Sequence, residues 1–258
     1  MITDAQKARF DELVGMLTDI SGTSAEAASS DSGIGTYNEK TTHRVLKSFF
    51  EPDVTFHEIP CGMYVADIKR GNRIIEIQTS GFAAIRDRLD FFLQSNEVTL
   101  VYPIYKTKRI VWVDPENGVG DRSVLSPKRG NAVQLLPELG RIGDLFLSGG
   151  IEVKCMLLEG TEYRLRDGWG NDGKRGAHRI DRLPSGLVDI ISVRTSDDLR
   201  ALIPFESGDM FTSKEFAKAC GFSGKSWRDI GMSIKFLIQA GIVEHIGKDG
   251  RAFVYRVK

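Results

Sequence analysis

Two carboxylates, Asp67 and Glu76, flank the Gly71-Asn72 turn signal in VADIKRGNRIIEIQT. Apolar alternation on both sides makes this stretch a tight β-hairpin, and a turn centred there pairs residues whose numbers sum to 143. Asp67 then stands opposite Glu76, with Cβ atoms roughly 5 Å apart, and Gln78 projects from the same face. Like charges so placed destabilise a sheet unless something neutralises them, and a divalent cation does so with one ligand. Met63, Val65 and Ile74 share that face, which makes unpaired carboxylates there costly to bury. The plainer alternative is a solvent face, where polar residues usually alternate outward.

The elements that must hold this hairpin follow from periodicity. Thr3 and Gln6 form a capping box for a helix over 4–20, with Phe10, Leu13, Val14, Leu17 and Ile20 on one stripe. Residues 22–37 are small, polar and glycine-rich and are expected to be a mobile loop. A second helix starts near Asn38, turns Val45, Leu46, Phe49 and Phe50 inward, and stops at Glu51-Pro52. On an adjoining stripe Glu39 and His43 lie one turn apart. Strands are expected at 54–59, 63–69 and 73–79, with a turn at 60–62, then a helix over 83–95 and a buried strand over 97–105.

Between 106 and 195 the pattern weakens to a strand at 109–114, a turn at 114–118, a helix over 131–147 and a strand over 152–159. The segment EYRLRDGWGNDGKRGAHRIDR, residues 162–182, reads as a glycine-rich basic loop. Its Arg175 and Arg179, with Arg164, Arg166, Lys174 and Arg182, suit a phosphate backbone, although Asp167, Asp172 and Asp181 offset part of that charge.

The last fifty residues are plainer. Thr212 and Glu215 cap a short helix, residues 221–224 turn, a longer helix runs to about Ala240, and residues 243–258 form a hairpin turning at 248–250. Helix, turn, helix, hairpin is the plan of a winged helix. Residues 205–258 carry nine Lys and Arg against six Asp and Glu, whereas the whole chain balances 35 against 35. Lys225, Arg228 and Lys235 ride on the second helix, with Lys248 and Arg251 at the wing, as a recognition helix and a backbone-gripping wing require. A protein-interaction module is the competing use of that plan.

A resemblance joins these parts. An acid in the first helix (Glu39), an Asp on the second strand (Asp67) and Glu76-Ile77-Gln78 on the third, in the order helix, three strands, helix, strand, resemble the PD-(D/E)xK nuclease superfamily over about residues 35–105. Ala66 replaces the family's proline. Gln78 replaces its lysine, as in branches such as the competence-protein type with E-I-Q. The resemblance implies a restriction-endonuclease-like αβββαβ core of α/β (α+β) class. It further implies that Asp67, Glu76 and the Ile77 carbonyl hold Mg²⁺ or Mn²⁺, and that Glu39 and Gln78 complete a catalytic set for DNA phosphodiester hydrolysis. The alternative is a catalytically inactive nuclease-like DNA-binding regulator. The phrase RLRDGWGNDGKRGAHR also resembles one from a family of uncharacterised prokaryotic proteins.

Three domains are therefore expected: a nuclease-like core at 1–105, an extension of unassigned fold at 106–204 and a winged helix at 205–258. The expected partner is DNA, with a homodimer allowed and no membrane, since no stretch approaches the roughly 18 apolar residues of a span. Three separated cysteines, Cys61, Cys155 and Cys220, fit neither a zinc site nor a disulfide framework and point to the cytoplasm. Zero net charge excludes binding of polyanions through bulk charge.

Overall fold

The computed structural model describes residues 2–21, 41–79, 81–114, 118–169, 175–222 and 227–258. The expected loop over 22–37, Glu39 and Lys225 lie outside them. The chain is a mixed α+β protein whose residues gather into two compact units, neither continuous in sequence. Unit A takes Met1–His57, Tyr105–Gly130 and Met156–Ile190; unit B takes Glu58–Ile104, Asn131–Cys155 and Ile191–Lys258. Among the described residues no helix is long and apolar enough to cross a membrane.

In unit A, α1 (Asp4–Ser21) packs on α2 (Thr41–Phe50). Phe10, fully buried, meets Phe49 edge to face at 5.6 Å, and the Arg9 guanidinium lies over the Phe49 ring while donating to Ser48 O. Of the α1 stripe Phe10 is covered, and Leu13, Val14 and Leu17 are half-buried. Val45, Leu46 and Phe49 of α2 are buried, as their spacing requires; Phe50 is half-buried.

Strands dominate the rest. The two expected strands after residue 97 are one, β4 (Glu97–Asp114), and β5 (Gly118–Leu125) pairs with it antiparallel. Of the basic segment expected as a loop, residues 170–174 lie outside the described residues and the rest belongs to two long strands, β6 (Ile151–Trp169) and β7 (Arg175–Val193). The correction has a physical reason. Leu158, Gly160 and Glu162 are buried at alternate positions of β6, so the apolar alternation continues into a charged row and the charges conceal the strand.

At that row Glu162, 1% exposed, accepts from three cations. Lys108 Nζ and Arg182 Nε reach Oε2 at 2.6 and 2.7 Å, and Arg164 Nε reaches Oε1 at 2.7 Å. Burial opposes its ionisation, yet the bonds from Lys108, Arg182 and Arg164 together hold its carboxyl down at about 2. Tyr105 moves the other way: burial pushes its hydroxyl up to about 12, and it shares a 2.7 Å hydrogen bond with Thr42 of α2. The same crowding fixes Gly160, whose added Cβ would lie 2.3 Å from Tyr105 Cε1 and 2.5 Å from Leu183 O. Gly160→Ala is accordingly expected to cost about 1–3 kcal/mol in chemical denaturation, the usual range for overpacking.

The meander β1 (His57–Cys61), β2 (Tyr64–Arg70) and β3 (Arg73–Ile77) belongs, after His57, to unit B. The first strand starts later than its residues suggest. Asp53 Oδ1 accepts from Thr55 N and Oγ1, capping a 3-10 turn over Val54–Phe56, and the reversal follows at Gly62 with φ of 61°. A 3-10 turn, Phe82–Ile85, leads into α3 (Arg86–Leu93), after which β4 runs parallel to β3 from Arg73↔Glu97 to Ile77↔Val101. Hydrogen-bonded strand order is β1-β2-β3-β4-β6-β7. The helix expected over 131–147 is broken into a 3-10 turn (Ala132–Leu135), α4 (Leu136–Leu139) and α5 (Gly143–Leu147): Pro137 stands in the first turn of α4, where its missing N–H is tolerated, and Gly140 caps its end.

Also in unit B, α6 (Ser196–Leu202) starts from a Thr195/Asp198 capping box that the sequence reading missed. Then come β8 (Met210–Thr212), α7 (Ser213–Ala219), α8 (Trp227–Gln239), β9 (Val243–Asp249) and β10 (Ala252–Val257). The last strands form a second sheet, β8-β10-β9. One side of α8 is held against residues 140–146: Phe236 meets Phe146 at 6.0 Å, and Asp229 pairs with Arg141 at 3.2 Å.

Candidate functional site

The hairpin that carries the acids closes as its residues require. Gly71 takes φ of 61°, a left-handed conformation that costs glycine little, and Lys69 Nζ donates to Gly71 O at 2.8 Å. β2 and β3 pair Arg70 with Arg73, Lys69 with Ile74 and Ile68 with Ile75, each sum being 143. Beyond Ile68 and Ile75 the acid side chains bridge the strands. Asp67 N donates to Glu76 Oε1 at 3.1 Å, and Ile77 N donates to Asp67 Oδ2 at 2.7 Å. The reciprocal bonds satisfy two amides and fix both carboxylates, which are 9% and 1% exposed.

The surroundings differ from the apolar face expected. Ile74 is fully buried, but Met63 is 82% and Val65 45% exposed, so burial increases along β2 towards Asp67. A cation is already present in the form of Arg88 of α3, whose Nη2 lies 2.6 Å from Glu76 Oε2. This is ion-pair contact without good hydrogen-bond alignment, and among the described residues the buried Arg88 Nε has no hydrogen-bond acceptor. Gln78 extends the ladder to β4 through its N–H to Val101 O at 2.9 Å, and its side-chain amide donates to Gly81 O at 3.2 Å.

The ligating groups shown here are the oxygens of two carboxylates. That chemistry fits a hard divalent ion. Arg88 fits it less well, since an ion at Glu76 must displace its guanidinium from a 2.6 Å contact. Among the described residues no group of three or more His, Cys, Asp or Glu side chains is placed to hold a metal. Among the described residues the site thus has two carboxylates, and Glu39, the third acid expected, falls outside them.

Sequence reasoning missed Arg88, although a signal was present. Ile85, Arg88, Leu89 and Phe92 follow the i, i+3, i+4, i+7 spacing, so Arg88 lies on the inward stripe and needs a partner. His43 is half-buried in α2, and the His57 ring sits 2.8 Å from Glu51 O; neither belongs to unit B.

The basic residues expected at nucleic acid fall in both units. Arg175 and Arg179 lie on β7 in unit A. In unit B, Trp227, Arg228, Gly231, Lys235 and Ile238 form an exposed stripe on α8, opposite its buried Ile230, Ser233, Ile234 and Leu237. Lys248 stands over the exposed Phe253 ring at 4.9 Å, and Arg251 is exposed at the hairpin tip.

A protein of Treponema pallidum (strain Nichols) described as "Uncharacterized protein" is 24% identical over 224 residues, covering 86% of this chain and 87% of its own length. No solved structure matches the chain. Residues 40–194, more than half of the chain, match the family described as "Domain of unknown function (DUF8091)". That span takes in the acid pair and the Glu162 cluster and ends before α6, and by it the chain belongs to the DUF8091 family.

Proposed function

We propose that the protein is a metal-dependent DNA endonuclease or nickase of the PD-(D/E)xK kind, joined to a winged-helix DNA-binding element. The observation that carries this reading is the acid pair itself. Asp67 and Glu76, brought from neighbouring strands, each bind the other strand's amide, on a meander whose third strand is parallel to the next. In this reading Asp67, Glu76 and the Ile77 carbonyl hold Mg²⁺ or Mn²⁺. When bound, such an ion lowers the pKa of a water and offsets charge on the phosphoryl oxygens. Gln78 cannot take up a proton at neutral pH, so it positions the water or a phosphate oxygen by hydrogen bonding. Arg88, displaced from Glu76, remains a guanidinium beside the phosphate path.

The exposed α8 stripe is read as the DNA-facing side of the recognition helix, with Arg228 and Lys235 on phosphates and Trp227 at its N-terminal end. Arg228→Ala with Lys235→Ala is expected to weaken DNA binding and reduce the slope of log K against log salt by about 2, one unit per phosphate contact. Gel shifts over a salt series check this; an unchanged slope assigns α8 to protein contacts instead.

A second reading, a non-cleaving DNA-binding regulator, is favoured by one observation: Arg88 already neutralises Glu76 without an ion. Wild-type protein incubated with supercoiled, linear and single-stranded DNA and Mg²⁺ separates the two. Nicked or shortened DNA supports the nuclease, whereas intact DNA of every form with retarded mobility supports the regulator.

A further inference from the structure

The charges around Glu162 do not balance. Among the described residues Lys108, Arg164, Arg179 and Arg182 stand within one half-buried region of unit A against two carboxylates, Glu162 and Asp181. Glu162 has both oxygens committed, Oε1 to Arg164 and Oε2 to Lys108 and Arg182. Asp181 is committed elsewhere: Oδ2 accepts from Thr41 Oγ1 at 2.6 Å and Thr41 N at 3.4 Å at the start of α2, and Oδ1 accepts from Arg182 N at 2.7 Å. No carboxylate among the described residues lies within ion-pair distance of Arg179. Burial, then the neighbouring Arg182 charge, pushes its guanidinium pKa down, the direction expected of a cation lacking enough counter-charge.

The guanidiniums are also held by aromatic rings. Arg182 stacks over Tyr105 at 5.7 Å and Arg164 over Trp112 at 5.9 Å, while Glu162 anchors one edge of each guanidinium. Each fork is thereby pre-oriented with donors left over, since a guanidinium carries five N–H groups and Glu162 takes at most two from either. A buried carboxylate that gathers three cations and leaves a fourth beside them is an arrangement for receiving an anion with several oxygens. Tetrahedral phosphate suits it through fork-shaped donors, which a planar carboxylate ligand would engage at only two points.

We propose that Lys108, Arg164, Arg179 and Arg182, held by Glu162, form a binding site for a phosphate oxyanion. It is distinct from the Asp67–Glu76 pair and requires no divalent ion. The phosphate belongs either to a free nucleotide-like polyphosphate or to a polynucleotide backbone, and both present the same oxygens. Arg179 is the residue to alter, because the other three hold Glu162 in place.

The experiment uses the full chain in EDTA. Pyrophosphate binding is followed by calorimetry and binding of a 20-nucleotide single strand by fluorescence anisotropy, for wild type, Arg179→Gln, Arg179→Lys and Glu76→Ala. Wild type is expected to bind at least one probe, Arg179→Gln to lose about tenfold or more in affinity, Arg179→Lys to lose less, and Glu76→Ala to match wild type. Loss with pyrophosphate identifies the free polyphosphate source; loss with the oligonucleotide alone identifies the backbone source. No binding of either probe, or equal binding by wild type and Arg179→Gln, overturns the proposal. Because the metal is chelated, these outcomes are independent of whether the protein cleaves DNA.

Discussion

Glu162→Gln is expected to lower the unfolding free energy by about 3 kcal/mol or more, the range seen when one partner of a buried charge pair is removed. Glutamine keeps the shape but not the charge, so Lys108, Arg164 and Arg182 are left facing one another across a neutral amide. The effect carries a pH signature. The Glu162 carboxyl is held at about 2 in the folded protein against 4.5 ordinarily. A depressed pKa contributes stability that is fully present above the unfolded value and is lost as pH falls through the folded one. Wild type and variant should therefore differ most above pH 4.5 and converge as the pH approaches 2. Urea unfolding at a series of pH values measures it; a gap independent of pH would show that packing, not charge, is responsible.

Arg88 and a divalent ion should compete for Glu76, and this is expected to appear in stability. An ion that binds only the folded chain raises the unfolding free energy by about 2.7 kcal/mol at one hundred times its dissociation constant. Mn²⁺ should produce such a rise in wild type and none in Asp67→Asn or Glu76→Gln. Arg88→Met should reach the same gain at lower Mn²⁺, since the ion no longer displaces a guanidinium 2.6 Å from Oε2. In the absence of metal Arg88→Met should itself be destabilised, because Glu76, 1% exposed, then loses its counter-charge. Thermal or urea unfolding with and without Mn²⁺ reads both signs, and a variant with the metal response of wild type at every concentration would exclude competition.

How much of this was legible beforehand depended on whether the interactions were local. The β2–β3 register followed from a two-residue turn, because Gly71-Asn72 fixes pairing over the next few residues. The Thr212/Glu215 cap and the order α7, α8, β9, β10 followed from spacing for the same reason. The first half of β6 was expected as a strand over 152–159, but its continuation and β7 were hidden because the inward row changes from Leu158 to Glu162, and a charge at a core position reads as surface until its partners are known. Those partners, Lys108 and Arg182, are 54 and 20 residues away. The long β4 was split by weak alternation at residues 105–108, where Lys106 and Lys108 interrupt the apolar run.

The acid pair was read from alternation, but its neutralisation was not. Sequence placed Asp67 opposite Glu76 and called for a cation; Arg88, 12 residues beyond Glu76, supplies one from another element. Spacing within a strand says which side chains share a face, whereas the helix that packs on that face is set by tertiary structure. The Asp67 and Glu76 bonds to main-chain amides were likewise unreadable, since they depend on where the ladder stops at Ile68 and Ile75.

Cleavage of supercoiled plasmid by wild type, Asp67→Ala and Glu76→Ala, at matched protein concentration with Mg²⁺, Mn²⁺ or EDTA, bears most directly on the proposal that the acid pair cuts DNA. Wild type is expected to convert supercoiled to open-circular or linear DNA only with a divalent ion. Each variant should lose more than about 100-fold in rate, since removal of even an outer-shell partner of a metal ligand costs up to that much. DNA binding in EDTA should persist in both variants, or strengthen, because a repelling carboxylate has gone. Cleavage that survives in EDTA, or that Asp67→Ala and Glu76→Ala retain at the wild-type rate, would contradict the assignment.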